Sequence, residues 1–258
     1  DLGLFRNRTF NGANIAALTM QFSSVSLLFF LALWFQSILN YSPIGAGFRL
    51  VVFTGAGLSV APIAGAISEK VSPRITLTFG MAIIGMGSLF MAAILKSDSA
   101  WTAIIPGMLL GGWGTGIINP TMAAASLGVV PPSQGGIASG INNTARELGQ
   151  TAGIAVLGTL LQHTVREHVK SGLAGTALSV KTTALSNAIA GGLTQQVSRT
   201  LPDDGLRMQF IQVANESYVA GLHQVFIVSG VVALFGAVCS LILVHGEDLQ
   251  FPTAGALH

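Results

Sequence analysis

The chain has 258 residues, 51% of them hydrophobic and only 9% charged, and its formal net charge is +2. An ordinary soluble domain carries about 25% charged residues, so this composition, with a mean hydropathy of +0.67, points away from a soluble globule and towards a polytopic membrane protein. The small net charge and the lack of a basic run give no footing for nucleic acid, and the single cysteine, Cys239, rules out a disulfide framework or a cysteine-based metal site.

Cys239 lies in an apolar run and is expected to be a buried, inert thiol. The sequence opens at Asp1, with no methionine and no ordered signal-peptide regions; it is expected to be a piece of a longer protein. Residues 1–9 are polar, with Arg6 and Arg8, and the next charge is Arg49. A span needs about 20 apolar residues, and residues 15–39 supply the first. Asn40, Tyr41, Ser42 and Pro43 make a turn. The second span covers residues 47–67 and contains Pro62, tolerable where neighbouring helices satisfy the freed carbonyl.

Further spans are expected at 75–95, 104–128, 134–161 and 219–244, six in all. Residues 162–218 hold five Lys or Arg and four Asp or Glu, and are expected to form a long, partly helical loop outside the membrane. Within it, residues 173–197 are rich in Ala and Leu, but a central Lys181 makes a seventh span costly; an amphipathic helix outside the bilayer is expected instead. Residues 245–258 are a short polar tail. Arg6, Arg8, Lys70 and Arg74 gather on one side of this arrangement, against Lys96 and the helix-end Arg49 on the other. The positive-inside rule then places the N-terminus and the tail in the cytoplasm and the long loop outside.

The stretch from Gly107 to Leu161 holds most of the polar detail. No Asp, Glu, Lys or Arg occurs between Asp98 and Arg146. Small residues recur at four-residue spacing as Gly107/Gly111, Gly112/Gly116, Gly136/Gly140 and Gly149/Gly153, a pattern that lets helix backbones approach closely in lipid. Counted from Gln134, Arg146 lies ~18 Å along the fifth span, near the bilayer midplane. A charge at that depth is expensive and faces protein or water, often with a function; the other reading starts the helix later and lets Arg146 snorkel to the surface. Ser139, Asn142, Asn143, Arg146, Gln150 and Gly153 share one face, whereas Glu147, one residue on, points elsewhere and cannot pair with Arg146. In the first span Asn14, Gln21 and Ser24 share a stripe, lining a cavity or binding helices together. Asn119-Pro120 either breaks or bends the fourth span. Arg49 is expected to be a snorkelling anchor.

Some lookalikes carry nothing. Gly112-Trp113-Gly114-Thr115-Gly116 follows no strand and lies inside an apolar span, so it is no dinucleotide loop. Gly136 to Gly140 has the wrong spacing for a nucleophile elbow, and no metal-spaced His or Asp cluster is present. No catalytic residues, metal or cofactor are therefore expected.

Four segments carry a resemblance: LFRNRTFNGAN at Leu4 to Asn14, YSPIGAGFRL at Tyr41 to Leu50, APIAGAISEKVSPR at Ala61 to Arg74, and VPPSQGGIASGINNTARELGQTAGIAVLGT at Val130 to Thr159. In this order they resemble the C-terminal half of a major facilitator superfamily transporter, in the fourteen-helix drug:proton antiporter branch of the EmrB/QacA type. The resemblance implies an all-α membrane protein whose six transmembrane helices form half of a major facilitator fold in a bacterial cytoplasmic membrane. It implies proton-driven efflux of small hydrophobic or cationic compounds, by rocking against N-terminal helices absent from this sequence. Gly65, Glu69, Lys70 and Arg74 take the cytoplasmic loop-motif positions, although Glu69 and Ser72 stand where the motif usually has Asp and Gly. Gln21, Asn119, Asn142, Arg146 and Gln150 are the candidates for a substrate or coupling cavity. Glu147, where relatives often have Gln, is a candidate proton-linked group. The expected partners are the lipid bilayer, a small-molecule substrate, protons and the missing helices. The alternative is a truncated membrane subunit that assembles or binds without transporting.

Overall fold

The computed structural model describes residues 2–68, 71–174, 178–201 and 203–245. Among these residues there is no strand. The α-helices are α1 (Arg8–Leu33), α2 (Pro43–Ser68), α3 (Pro73–Ile94), α4 (Ile105–Leu127), α5 (Gly135–Gly172), α6 (Thr182–Ala190), α7 (Thr194–Thr200) and α8 (Asp204–Leu243). Local chemistry sets several of the starts. The Asn7 side chain accepts from the Phe10 amide at 3.0 Å to cap α1, and Asp203 accepts from the Leu206 amide at 3.2 Å to cap α8. Both are side-chain N-caps that satisfy an otherwise orphaned donor. Pro73 opens α3, where its missing amide hydrogen costs nothing. Pro62 and Pro120 lie inside α2 and α4, and both helices run on through them, so Asn119-Pro120 does not break the fourth helix.

Five segments are long and apolar enough to cross a membrane: Arg8–Ile38, Pro43–Ile67, Pro73–Ile94, Trp101–Leu127 and Asp204–Leu243. The 38-residue α5 has the length but is not among them. Ser139, Asn142, Asn143, Arg146, Glu147 and Gln150 interrupt its apolar character. Where six spans were expected, composition thus supports five, with one long polar-faced helix packed among them.

α1, α5 and α8 pack against one another, α3 packs between α4 and α8, and α2 lies outside against α4. Residues 9 and 245 lie together, for the His245 amide donates to Thr9 Oγ1 at 2.9 Å. The helices outrun their apolar cores. α5 continues eleven residues past the expected end at Leu161, and α8 begins at Asp204 rather than near Val219. The reason is burial at helical spacing: Val165 and Val169 on α5, and Phe210, Val213 and Ala214 on α8, belong to the same core cluster as Phe30, Trp34 and Leu222. With α6 and α7, these extensions make a packed cap over one end of the bundle. The Gln195 amide of α7 donates to the Ser37 carbonyl at 3.3 Å, and Arg207 ties α7 to α8 through the Ser198 carbonyl at 3.1 Å.

Glycines set the closest approaches. A Cβ on Gly112 would collide with the Phe53 carbonyl, and one on Gly116 with the Gly57 carbonyl, so α2 meets α4 backbone to backbone. A Cβ on Gly107 would stand 2.8 Å from the Gly87 carbonyl oxygen, and one on Gly111 2.7 Å from the Phe53 ring. Gly149 and Gly153 press on Leu18 and Phe22 of α1 in the same way. At Gly136 and Gly140 an added Cβ would meet nothing within 4 Å; these two form no helix seam among the described residues, contrary to the expectation from their spacing.

The end of α1 is a π-helical turn, Trp34–Ile38, followed by Asn40 with φ of 56°. Beside it, the Arg49 guanidinium carbon lies 3.4 Å from the centre of the Tyr41 ring and 5.1 Å from that of Trp101, while its Nη1 donates to the Gly45 carbonyl at 2.8 Å. Arg49, expected to snorkel, lies over the Tyr41 ring and near that of Trp101; aromatic faces attract a guanidinium electrostatically. Cys239 is partly buried.

Candidate functional site

Two polar contacts hold α5 to its neighbours at successive turns. At the first, Asn142 Nδ2 donates to Asn14 Oδ1 at 3.3 Å and to Ser126 Oγ at 3.1 Å. Asn14 Nδ2 in turn donates to the Phe10 carbonyl at 2.8 Å. All three side chains are buried, and each belongs to a different helix: α5, α1 and α4. Polar side chains that hydrogen-bond between helices hold a membrane bundle together.

One turn further along α5, Arg146 Nη2 donates to Asn119 Oδ1 at 2.7 Å, and Asn119 Nδ2 donates to the Thr115 carbonyl at 2.9 Å. Arg146 is half-buried and Asn119 exposed. Among the described residues no carboxylate lies within ion-pair distance of Arg146. Its Nε is buried without a hydrogen-bond partner. A guanidinium has five donors and no acceptor, so a neutral amide engages one edge and leaves the cation and further donors uncompensated. Such a group is suited to meeting an acceptor or an anion that arrives later.

Gln150 is half-buried, and its backbone carbonyl accepts from Ser26 Oγ at 3.4 Å. Gln21 is half-buried on α1. Glu147 is exposed beside Ser139, Asn143, Thr144 and Thr151 on α5, and its backbone carbonyl accepts from the Thr151 hydroxyl. Arg74 is half-buried at the start of α3, with its Nε unpartnered, and Gly65 is half-buried on α2. Glu69 and Lys70 lie outside the described residues, so the loop motif has no structural account there.

Arg146, Asn119 and Asn142 thus come together at the α4–α5 contact, whereas Gly65 and Arg74 belong elsewhere. Asn14 stood in a polar stripe on the sequence but not among the cavity candidates. Ser126 was missed, because a serine in Ala-Ala-Ala-Ser-Leu reads as ordinary small-residue packing.

Residues 2–154 match the sequence profile of the Major Facilitator Superfamily, and the chain belongs to that family. It is an integral membrane protein. It is 30% identical over 165 residues to a methylenomycin A resistance protein of Streptomyces coelicolor, covering 62% of this chain and 34% of that one. Over 254 residues it is 26% identical to a tetracenomycin C resistance and export protein of Streptomyces glaucescens, covering 93% and 45%. It is also 31% identical over 155 residues to a riboflavin transporter of Clostridioides difficile, covering 60% and 34%. The chain spans less than half the length of each of these relatives.

Proposed function

We propose that this chain supplies one half of a secondary transporter of the drug-efflux type, with α5 as its sixth span and the α4–α5 polar face as part of the substrate passage. The observation that carries the proposal is the exposure of Ser139, Asn143, Glu147 and Thr151 on α5, beside the Arg146–Asn119 pair. Polar and charged groups among membrane spans belong against protein or a water-filled cavity. Further helices facing this surface would enclose such a cavity near the midplane, where transporters of alternating access bind their substrates. The relatives named for resistance and export favour export of small organic compounds, and the riboflavin transporter leaves the substrate itself open. Arg6, Arg8 and Arg74 on one side favour that side as cytoplasmic, with the cap outside.

Arg146 would bind or couple, with Asn119 holding its fork and Asn142 fixing the helix that carries it. Arg146→Ala in the complete transporter is expected to lower efflux of a fluorescent cationic dye at least tenfold at unchanged expression. Unaltered efflux would reduce Arg146 to an anchor. Proton coupling is assigned mainly to helices beyond this chain, because Glu147 is the only carboxylate within the polar face. Glu147→Gln is therefore expected to retain efflux driven by a pH gradient; loss of that efflux with intact substrate binding would refute the assignment.

A further inference from the structure

At the capped end of the bundle, α1, α5 and α6 surround a hollow of about 340 Å³, at the small end of the range that ligand pockets occupy. Phe29, Phe30 and Leu33 of α1 form one wall, and Ile154, Gly158 and Leu161 of α5 the next. The third is the end of α6, with Asn187 and the adjoining Gly191. That wall is fixed, because Leu185 and Ile189 of α6 are buried in the main core cluster.

The hollow lies on the line of the proposed passage. Arg146, Gln150, Ile154, Gly158 and Gln162 succeed one another by four residues, and the last four each follow a buried residue, at 149, 153, 157 and 161. The row therefore keeps to one flank of the buried stripe of α5. On α1, Gln21, Val25, Phe29 and Leu33 also step by four, and none of them is fully buried. The two helices run in parallel, since Gly149 meets Leu18, Gly153 meets Phe22 and Gly158 meets Phe30. Gly158 stands ~12 Å along α5 from Gln150, two turns nearer the cap.

Two features give the hollow its chemistry. The Phe29 and Phe30 rings meet edge to face, with centres 5.3 Å apart at 81°, and join Leu33 and Ile154 in an apolar, aromatic bed. At the rim, Gln162 Nε2 donates to Asn187 Oδ1 at 3.0 Å, which leaves the Gln162 carbonyl as an acceptor and the Asn187 amide as a donor. Such a pair matches a ligand edge on which an N–H and a C=O stand side by side. None of the lining side chains is charged, so an ion would lose its hydration here without a counter-charge. Gly158 supplies the room: a Cβ there would lie 3.4 Å from the Phe30 ring, and a longer side chain would occupy the hollow.

We propose that this hollow is a second station on the passage, taking a neutral, flat aromatic compound with a lactam or imide edge. The ring system lies against Phe29, and its N–H and C=O bond to Gln162 Oε1 and Asn187 Nδ2. The proposal rests on the reading of α5 as a passage wall and adds to it a class of compound carried.

The test uses naphthalimide and its N-methyl derivative, which differ in that one N–H. Equilibrium dialysis of the purified protein in detergent, against protein-free detergent, should find the imide bound roughly fivefold more tightly, the ratio that one neutral hydrogen bond supports. Gln162→Leu, at an exposed position, should erase that preference, and Gly158→Leu should abolish binding of both compounds. Cells carrying the complete transporter should export naphthalimide and lose that export with Gly158→Leu at unchanged expression. Equal binding of the two compounds by the wild type would overturn the station, and efflux of the cationic dye would then leave the transport reading standing. A preference untouched by Gln162→Leu, or binding that survives Gly158→Leu, would overturn it as well. Binding as expected without efflux of either naphthalimide or the dye would sink the transport reading and the station with it. Melting curves of both variants confirm that each keeps its fold.

Discussion

At the scale of single residues, the Asn142 amide is the point where three helices are fastened. Removing it strands Asn14 Oδ1 and Ser126 Oγ in a buried setting, and a buried polar group left unsatisfied costs about 1–3 kcal/mol. Interhelical hydrogen bonds measured in membrane proteins average less, about 0.6 kcal/mol. Asn142→Ala is accordingly expected to destabilise by about 1 kcal/mol, read as a lower melting temperature in detergent. Asn143→Ala, at an exposed neighbour, should leave the melting temperature unchanged. Equal melting of the two variants would mean that the node contributes nothing. Arg146 was legible in the sequence because a charge inside a long apolar run is conspicuous. Its bond to Asn119 was not, since it joins residues 27 apart across a helix pair whose register no local pattern reports. Ser126 became polar machinery only through the partner that packing brought to it.

At the scale of elements, four-residue glycine spacing was an ambiguous signal, and the structure shows why. The same spacing serves a helix that meets another backbone and a helix that faces open space. Gly116 belongs to the first kind and Gly140 to the second. Gly116→Ala is expected to drive a methyl group into the Gly57 carbonyl and to cost about 1–3 kcal/mol, as overpacking does. Gly140→Ala should be neutral or stabilising by up to about 1 kcal/mol, since alanine favours helix over glycine. Thermal denaturation of both variants checks the contrast, and a Gly116→Ala protein as stable as the wild type would show that α2 can move aside. The apolar runs marked the helices well, but their ends were less legible. Hydropathy follows the lipid-facing slab, whereas a helix continues wherever one face remains buried, as at Val165, Val169 and Phe210. The π-turn at Trp34–Ile38 left no mark in the sequence, because it depends on how the cap and α1 meet.

At the scale of the whole molecule, the cap changes what a polar loop means. Residues 162–218 were expected outside the membrane on charge alone, yet the structure has much of that segment packed into the main core cluster, with Leu185 and Ile189 of α6 buried there. Its Lys181 and Arg199 have exposed side chains, but their peptide bonds lie in the helical cap, so cleavage there requires local opening. Protein in detergent is expected to resist cleavage at these sites at low protease, and to lose that resistance when Arg207→Ala releases the Ser198 and Leu201 carbonyls of the α7 end. Rapid cleavage of the wild type at Lys181 would show instead that the cap is open in solution.

The same bundle is least secure at α2. Only 22% of its most apolar window is buried, against 44% to 61% for the other four segments, and its packing is chiefly on α4. Helices that insert separately and then dock leave such a member to join last and to part first. An undocked α2 presents Phe48, Leu58 and Ile63 to whatever else is in the bilayer. Damage to the Gly57–Gly116 contact should then surface in the cell as scarcity, with the protein cleared by membrane proteases, rather than as a normal amount of altered protein.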